Sequence, residues 1–340
     1  MTITAIKNHR QTNFFICHTP YHLYESALIA EQYFSNDLNI AIVEGEAKTK
    51  RTVSFNDLIR LTYTGGSVYK SHRKIETSLK KLEEHISNSP TSRIFLSDIA
   101  WPLCNRVFFS KNFNKCTFSL YSDGVAAYLD KKSTSKKFLK DMAKSLLSNI
   151  FVTSKYKPFR GHALGYDHAQ VSDFFIPNPK SVNYKVNNAL DIHLPPPTPQ
   201  TNNSPQNNLL FLDQPLWLII KDNWPDKIEQ TIKLLKSNYP NHNLYFKKHH
   251  RSREKESLLF LKHGFIELEH DYCIEELVSE RTYHVIASFY SSALLHLRWI
   301  LPKCTEIINL TDTEIIQKLS INNELTELYK KNDITTKLLN

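Results

Sequence analysis

Leu194-Pro-Pro-Pro-Thr-Pro-Gln-Thr-Asn-Asn-Ser-Pro-Gln-Asn-Asn208 holds five prolines and no charged residue. Proline fixes φ and withholds a backbone donor, and the polar remainder has nothing to bury, so the stretch reads as an exposed linker. The sequence on either side of it repeats one grammar, short apolar strands followed by amphipathic helices. Before the linker, strands are predicted at Asn13–Cys17, Leu38–Val43, Arg93–Ser97 and Cys116–Tyr121. Helices are predicted from Pro20 to about Phe34, over Ser71–Ile86 and over Phe138–Leu147. After it come strands Leu209–Leu212, Asn243–Lys247, Phe265–Leu268, His284–Ser288 and Glu306–Leu310. The helices there are Trp224–Ser237, Arg253–Lys262, Ile274–Glu280 and one from about Ser291. Alternation of this kind argues for parallel α/β sheets covered on both faces. The expected organisation is an α/β domain over 1–193, the linker 194–208, a second α/β domain over 209–325 and a helical tail over 326–340. A single larger α/β enzyme with a disordered insert is the alternative.

Composition narrows the classes. The 340 residues suit two domains, and 41% apolar with 23% charged residues allows each half a real core. Only seven glycines argue against a fold built on glycine-rich phosphate loops. The five cysteines are odd in number, widely spaced and free of any CxxC pair, which speaks against a zinc site or a disulfide framework and for reduced thiols. The amino terminus lacks a signal-peptide h-region, and no run of eighteen apolar residues occurs, so a cytoplasmic protein, at most peripheral on the inner membrane, is expected. A net charge of +9 attracts anions: nucleic acid, phospholipid headgroups, nucleotides or acidic sugars. The basic and aromatic patterns of known nucleic-acid modules are missing, which counts against a nucleic-acid partner.

Ligands of open parallel sheets bind beyond the carboxyl ends of the strands. The residues there are strongly polar: His18-Thr19-Pro20-Tyr21-His22, Asp98 with Trp101, Ser122-Asp123-Gly124, Asp213-Gln214-Pro215, Lys248–Arg251 and Ser288–Ser292. Acids, histidines and hydroxyls after several strands on both sides of the linker suggest an interdomain active site. Lys247-Lys248-His249-His250-Arg251 suits the phosphate and carboxylate of a nucleotide-activated acidic sugar, and a histidine can donate a proton to a phosphate leaving group. A solvated basic turn is the simpler reading of that cluster. Ser288, Ser291 and Ser292 precede a helix, where hydroxyls and free N–H groups hold phosphate oxygens or merely cap the helix. Asp123-Gly124 puts a carboxylate beside a residue that permits close approach, although Asp-Gly is also a common turn. His18 and His22 share a helical spacing but find no third residue at metal-ligand spacing.

Taken together and in this order, the pieces resemble the bacterial sialyltransferases of glycosyltransferase family 52, the lipooligosaccharide type, and their polysialyltransferase relatives. Cys17-His18-Thr19-Pro20 resembles the family's turn after the first strand, and Ser122-Asp123-Gly124 with Tyr128 its acid-acid-glycine motif. Gln214-Pro215, the Lys247–Arg251 cluster and Ser291-Ser292 resemble its later motifs. The resemblance implies a GT-B fold of two Rossmann-like domains with a nucleotide-sugar cleft between them. It implies inverting, metal-independent transfer of sialic acid from CMP-sialic acid to a cell-surface glycan (lipooligosaccharide, O-antigen or capsule), with no cofactor. On this reading Asp123 is the general base and His249 acts on the departing phosphate. Lys247, His250, Arg251, Ser288, Ser291, Ser292 and Gln214 bind the donor, while His18, Tyr21 and His22 meet the acceptor. Two positions depart from the pattern: Ser122 replaces the first acid, and His250 replaces the proline after the histidine. Either change fits a different donor, a shifted base or lost activity. A transferase using another nucleotide-sugar, or a non-catalytic binder of anionic glycan or nucleic acid, are the alternatives.

Between Lys131 and Arg160 the chain carries nine cations interleaved with Phe138, Leu139, Met142, Leu146, Leu147, Ile150 and Phe151. A basic amphipathic helix of this kind is a candidate for an anionic membrane leaflet, for an acidic glycan, or for the solvated face of a domain helix.

Overall fold

The computed structural model describes residues 11–61, 68–87, 92–149, 156–197, 207–220, 222–269, 271–319 and 323–339. The chain divides into two compact units, Met1–His193 and Leu194–Asn340. The middle of the proline-rich stretch, 198–206, lies outside the described residues, as do Ile150, Phe151 and Lys155 of the basic stretch.

Unit 1 is built on β1 (Thr12–Cys17), every residue of which is buried. Its Phe14-Phe15-Ile16 run is apolar on both faces, as a central parallel strand requires. β1 pairs in parallel with β2 (Leu38–Glu44) on one side and β4 (Ser92–Leu96) on the other. β3 (Asp57–Leu61), β5 (Thr117–Tyr121), β6 (Val171–Ile176) and β7 (Ala189–Asp191) complete a sheet of order β3-β2-β1-β4-β5-β6-β7. All its pairings are parallel. The helices are α1 (Pro20–Tyr33), α2 (Val68–Ser87), α3 (Pro102–Phe109) and α4 (Ser135–Asn149). Thr19 starts α1, its hydroxyl accepting from the His22 N–H at 3.2 Å, with Pro20 in the first turn where its missing N–H costs nothing.

Unit 2 repeats the plan. β8 (Asn208–Leu212), fully buried, pairs with β9 (Asn243–Lys247) and β11 (Val285–Ser288), and the parallel order is β10-β9-β8-β11-β12-β13. β10 is Ile266–Leu268, β12 Glu306–Thr311 and β13 Thr335–Leu338. The helices are α5 (Leu216–Ile219), α6 (Trp224–Asn238), α7 (Glu254–Lys262), α8 (Ile274–Leu277), α9 (Ser292–Ile300), α10 (Thr313–Leu319) and α11 (Asn323–Lys331). Phe211, Phe246 and Phe260 stack at 5.0 Å spacings in the core under α7.

The helical tail expected over 326–340 is corrected. α11 stops at Lys331, Asp333 turns with φ of +53°, and Thr335–Leu338 lie parallel to β12. β-branched Thr335 and Thr336 favour that extended pairing over another helical turn. All five cysteines stay as free thiols, and only Cys304 is exposed.

In each sheet the strand order reverses beside the first strand, at β1/β4 and at β8/β11. Such switch points open a crevice above the strand ends.

Candidate active site

The unit 1 residues gather above β1, β4 and β5. Gly124, at φ of +63°, turns the chain after β5, a conformation that a side chain would strain. The two residues before it face opposite ways. Ser122 is fully buried, and its hydroxyl donates to Glu25 Oε1 of α1 at 2.5 Å. The Asp123 side chain is 41% exposed. Its backbone N–H donates to the Tyr166 hydroxyl at 2.9 Å, which donates in turn to the Ser97 carbonyl at 3.1 Å. The carboxylate is thus presented outward from a pinned backbone.

His22, expected to meet the acceptor, sits buried behind that carboxylate with Nε2 3.1 Å from Asp123 Oδ1. Its Nδ1 accepts the His18 N–H at 3.4 Å, which leaves the proton on Nε2 to donate to Asp123. Burial pushes the imidazole down, against the pull of Asp123, so it is neutral near pH 7. His18 is engaged in the interior as well. Nδ1 meets Glu44, Nε2 lies 3.1 Å from Cys104 Sγ, and the ring packs on Trp101 at 4.8 Å. Trp101 donates its indole N–H to Glu44 at 2.9 Å and its backbone N–H to Asp98 at 2.6 Å. Burial, then the charge of Asp123, raise the Asp98 carboxyl to about 6. Tyr21, the third expected acceptor residue, is half-buried on the first turn of α1. Glu25, Glu44 and Tyr166 were not singled out from the sequence. Glu44 ends a strand, which is a readable signal, but nothing local marks Glu25 or Tyr166.

In unit 2 the loop after β9 is tightly tied. The Asp213 N–H donates to the Lys247 carbonyl at 3.0 Å, and the Ser252 N–H to the His249 carbonyl at 2.9 Å. The Trp217 indole donates to the Arg251 carbonyl at 3.0 Å, and the Arg253 guanidinium lies 3.8 Å over the same ring. His249 Nδ1 accepts the Arg251 N–H at 3.1 Å, so Nε2 carries the proton. Burial first, then the positive charges of His250, Arg251 and Lys247, push His249 down to about 3. It is a neutral N–H donor rather than a cation. His250 and Arg251 are exposed, and the two imidazoles lie 4.2 Å apart. Burial lowers Lys247 against the opposing charges of Glu275, Asp271 and Glu267, so its ammonium sits among acids near α8. Asp213, buried at the end of β8, is raised to about 7 by burial, and half-buried Gln214 follows it.

The serines separate into two kinds. Ser288 is fully buried and donates to the Leu212 carbonyl at 2.7 Å, tying β11 to β8 rather than facing a ligand. Ser291 caps α9, accepting from the Ala293 N–H at 3.3 Å, and Ser292 is the first helical residue, partly exposed. Before them Tyr290 adopts φ of +45°, costly for a side chain with Cβ. Its neighbours impose it: Tyr290 donates its N–H to Asn309 at 2.8 Å and its hydroxyl to Thr311 at 2.9 Å. Its ring stacks on Tyr329, whose hydroxyl donates to the Ser291 carbonyl at 3.1 Å. Among the described residues, no three His, Cys, Asp or Glu side chains are grouped to hold a metal ion.

Two doubly wound parallel sheets, each carrying polar residues beyond its strand ends, define the α/β GT-B class of glycosyltransferase folds. Solved structures agree. An α/β-galactoside α-2,3-sialyltransferase from Photobacterium phosphoreum is 14% identical, with a TM-score of 0.52, over 96% of this chain and 98% of its own. A UDP-GlcNAc 2-epimerase from Methanocaldococcus jannaschii is 11% identical, with a TM-score of 0.53, over 95% and 92%. Since an epimerase shares this architecture, the fold alone leaves the reaction open. The family decides it: the model of the α-2,8-polysialyltransferases matches residues 13–311, and the chain belongs to that family. It is a glycosyltransferase of the sialyltransferase kind. No curated protein sequence matches it.

Proposed function

We propose that the protein transfers sialic acid from CMP-sialic acid to a hydroxyl of a cell-surface glycan, with inversion and without a metal. Asp123 takes the hydroxyl proton as the acceptor oxygen bonds to the anomeric carbon. The bond from that carbon to the CMP phosphate breaks, and CMP leaves with the electron pair. The Nε2–H of His249 and the guanidinium of Arg251 meet the charge growing on the phosphate, and the start of α9 with Ser291 and Ser292 holds donor oxygens. Arg251 and the start of α9 supply the positive charge that a metal ion provides elsewhere, and His249 adds a neutral N–H donor. The family's description points to an α-2,8 linkage, hence to an acceptor that already ends in sialic acid.

What carries the reading is the pair Ser122 and Asp123: the replaced acid falls at the buried position against Glu25, while the retained acid is the exposed one. The loss of the first acid therefore leaves a base in place. His22 completes the arrangement as the group that orients Asp123.

The test is a panel of cytidine- and uridine-activated sugars, scored by thermal shift and by donor hydrolysis. CMP compounds should stabilise the protein, and Asp123→Asn should cut transfer by roughly 1,000-fold while keeping the CMP shift. His249→Ala should lose transfer as well. A shift with UDP-sugars and none with CMP compounds would overturn the assignment.

A further inference from the structure

We propose that the outer face of α4 docks on an anionic lipid bilayer. The inference does not rest on the proposed reaction. Leu139, Met142 and Leu146 are 64%, 40% and 68% exposed. At helical spacing they fall within an arc of about 60° and form one apolar stripe. The body of unit 1 holds α4 by a different side. Buried Ser145 donates its hydroxyl to the Tyr156 carbonyl at 2.7 Å, and half-buried Phe138 lies 5.0 Å below the Arg160 guanidinium. Lys136, which is exposed, falls beyond the apolar stripe and away from that attachment. Around the axis the order is protein contact, apolar stripe, cation. A helix lying in a membrane interface has this order, with aliphatic groups entering the acyl boundary and cations at the headgroups.

Charge selects the occupant. From residue 131 to 160 there are nine cations and one acid, Asp141, and Lys131, Lys132, Lys157 and Arg160 are exposed. A second copy would bring the same positive field to the same face and be repelled. A soluble polyanion would satisfy the cations yet leave three neighbouring aliphatic side chains in water. An anionic bilayer uses both.

The test uses the full chain and vesicles of phosphatidylcholine with or without phosphatidylglycerol. The protein should float with the anionic vesicles and stay behind with the neutral ones. Leu139→Asn with Leu146→Asn should weaken vesicle binding roughly tenfold or more, because inserted aliphatic area is lost. The same pair should leave retention on a sulfated-polysaccharide column unchanged. Both positions are exposed, so the unfolding midpoint of the pair should match the parent. Leu146→Trp keeps apolar area at the site and should bind, with indole emission that shifts blue and is quenched by brominated acyl chains. The proposal fails if the asparagine pair binds vesicles like the parent, or if the emission added by Leu146→Trp is unchanged on bound vesicles. It fails equally if the pair turns a dimer into a monomer by light scattering, or if the polysaccharide is retained and the vesicles are not.

Discussion

At the scale of single residues, side-chain direction matters more than residue type. Ser122 and Asp123 are adjacent in a turn, yet one faces Glu25 in the interior and the other faces out. Restoring an acid at 122 would set two carboxylates against each other without water. Ser122→Asp should therefore cost on the order of 2–4 kcal/mol in urea unfolding and add no activity per folded molecule. His22 shows the same point from the other side. Its N–H reaches Asp123 from beneath, so His22→Phe should lower kcat about tenfold while the KM for the donor holds. A merely structural histidine would move both constants or neither.

Among the elements, what could be read depended on local pattern. β1 and β8 were legible because five or six successive buried, mostly apolar residues have no stable home except a central parallel strand. β6 was not, because Ser172 and Asp173 interrupt it. Much of their polarity is satisfied across the sheet, where the Ser119 hydroxyl lies 3.0 Å from Ser172 and 3.2 Å from Asp173. α3 and the short strands β3 and β7 escaped for the same reason: their sense comes from neighbours distant in the chain. In the candidate site, Asp123 and His249 were visible as strand-end residues. The supports that aim them, Tyr166 and Trp217, were not, since contacts from 34 to 43 residues away leave no local mark. The start of α9 depends on such a support. Tyr329→Phe frees the Ser291 carbonyl and should cost about 1 kcal/mol of stability. It should also shrink the thermal shift given by CMP, if the strained Tyr290 turn relaxes with it.

For the molecule as a whole, burial raises Asp98 in unit 1 to about 6 and Asp213 in unit 2 to about 7. Both sit above the ordinary aspartate value, so these two groups hold more protons in the folded chain than in the unfolded one from roughly pH 4 to pH 7. Stability contributed by these groups is full at the acid end of that window and falls as the pH rises through it. For Asp213 the loss is at most about 4 kcal/mol. In Asp213→Asn the unfolding midpoint of unit 2 should vary less between about pH 5 and pH 7.5, which calorimetry across that range would measure.

The thiols give the intact protein a practical chemistry of its own. Burial pushes Cys17 up to about 12 and Cys116 to about 11, and raises Cys104 and Cys273 strongly. A thiolate is the species that attacks a maleimide, so ionisation shields all four, and burial also closes access to Cys17, Cys104 and Cys273. Cys304, exposed after α9, is left as the point of attack. The natural sequence therefore accepts one fluorophore or spin label in unit 2 without any cysteine being removed, and mass spectrometry of the labelled, folded protein should find a single adduct.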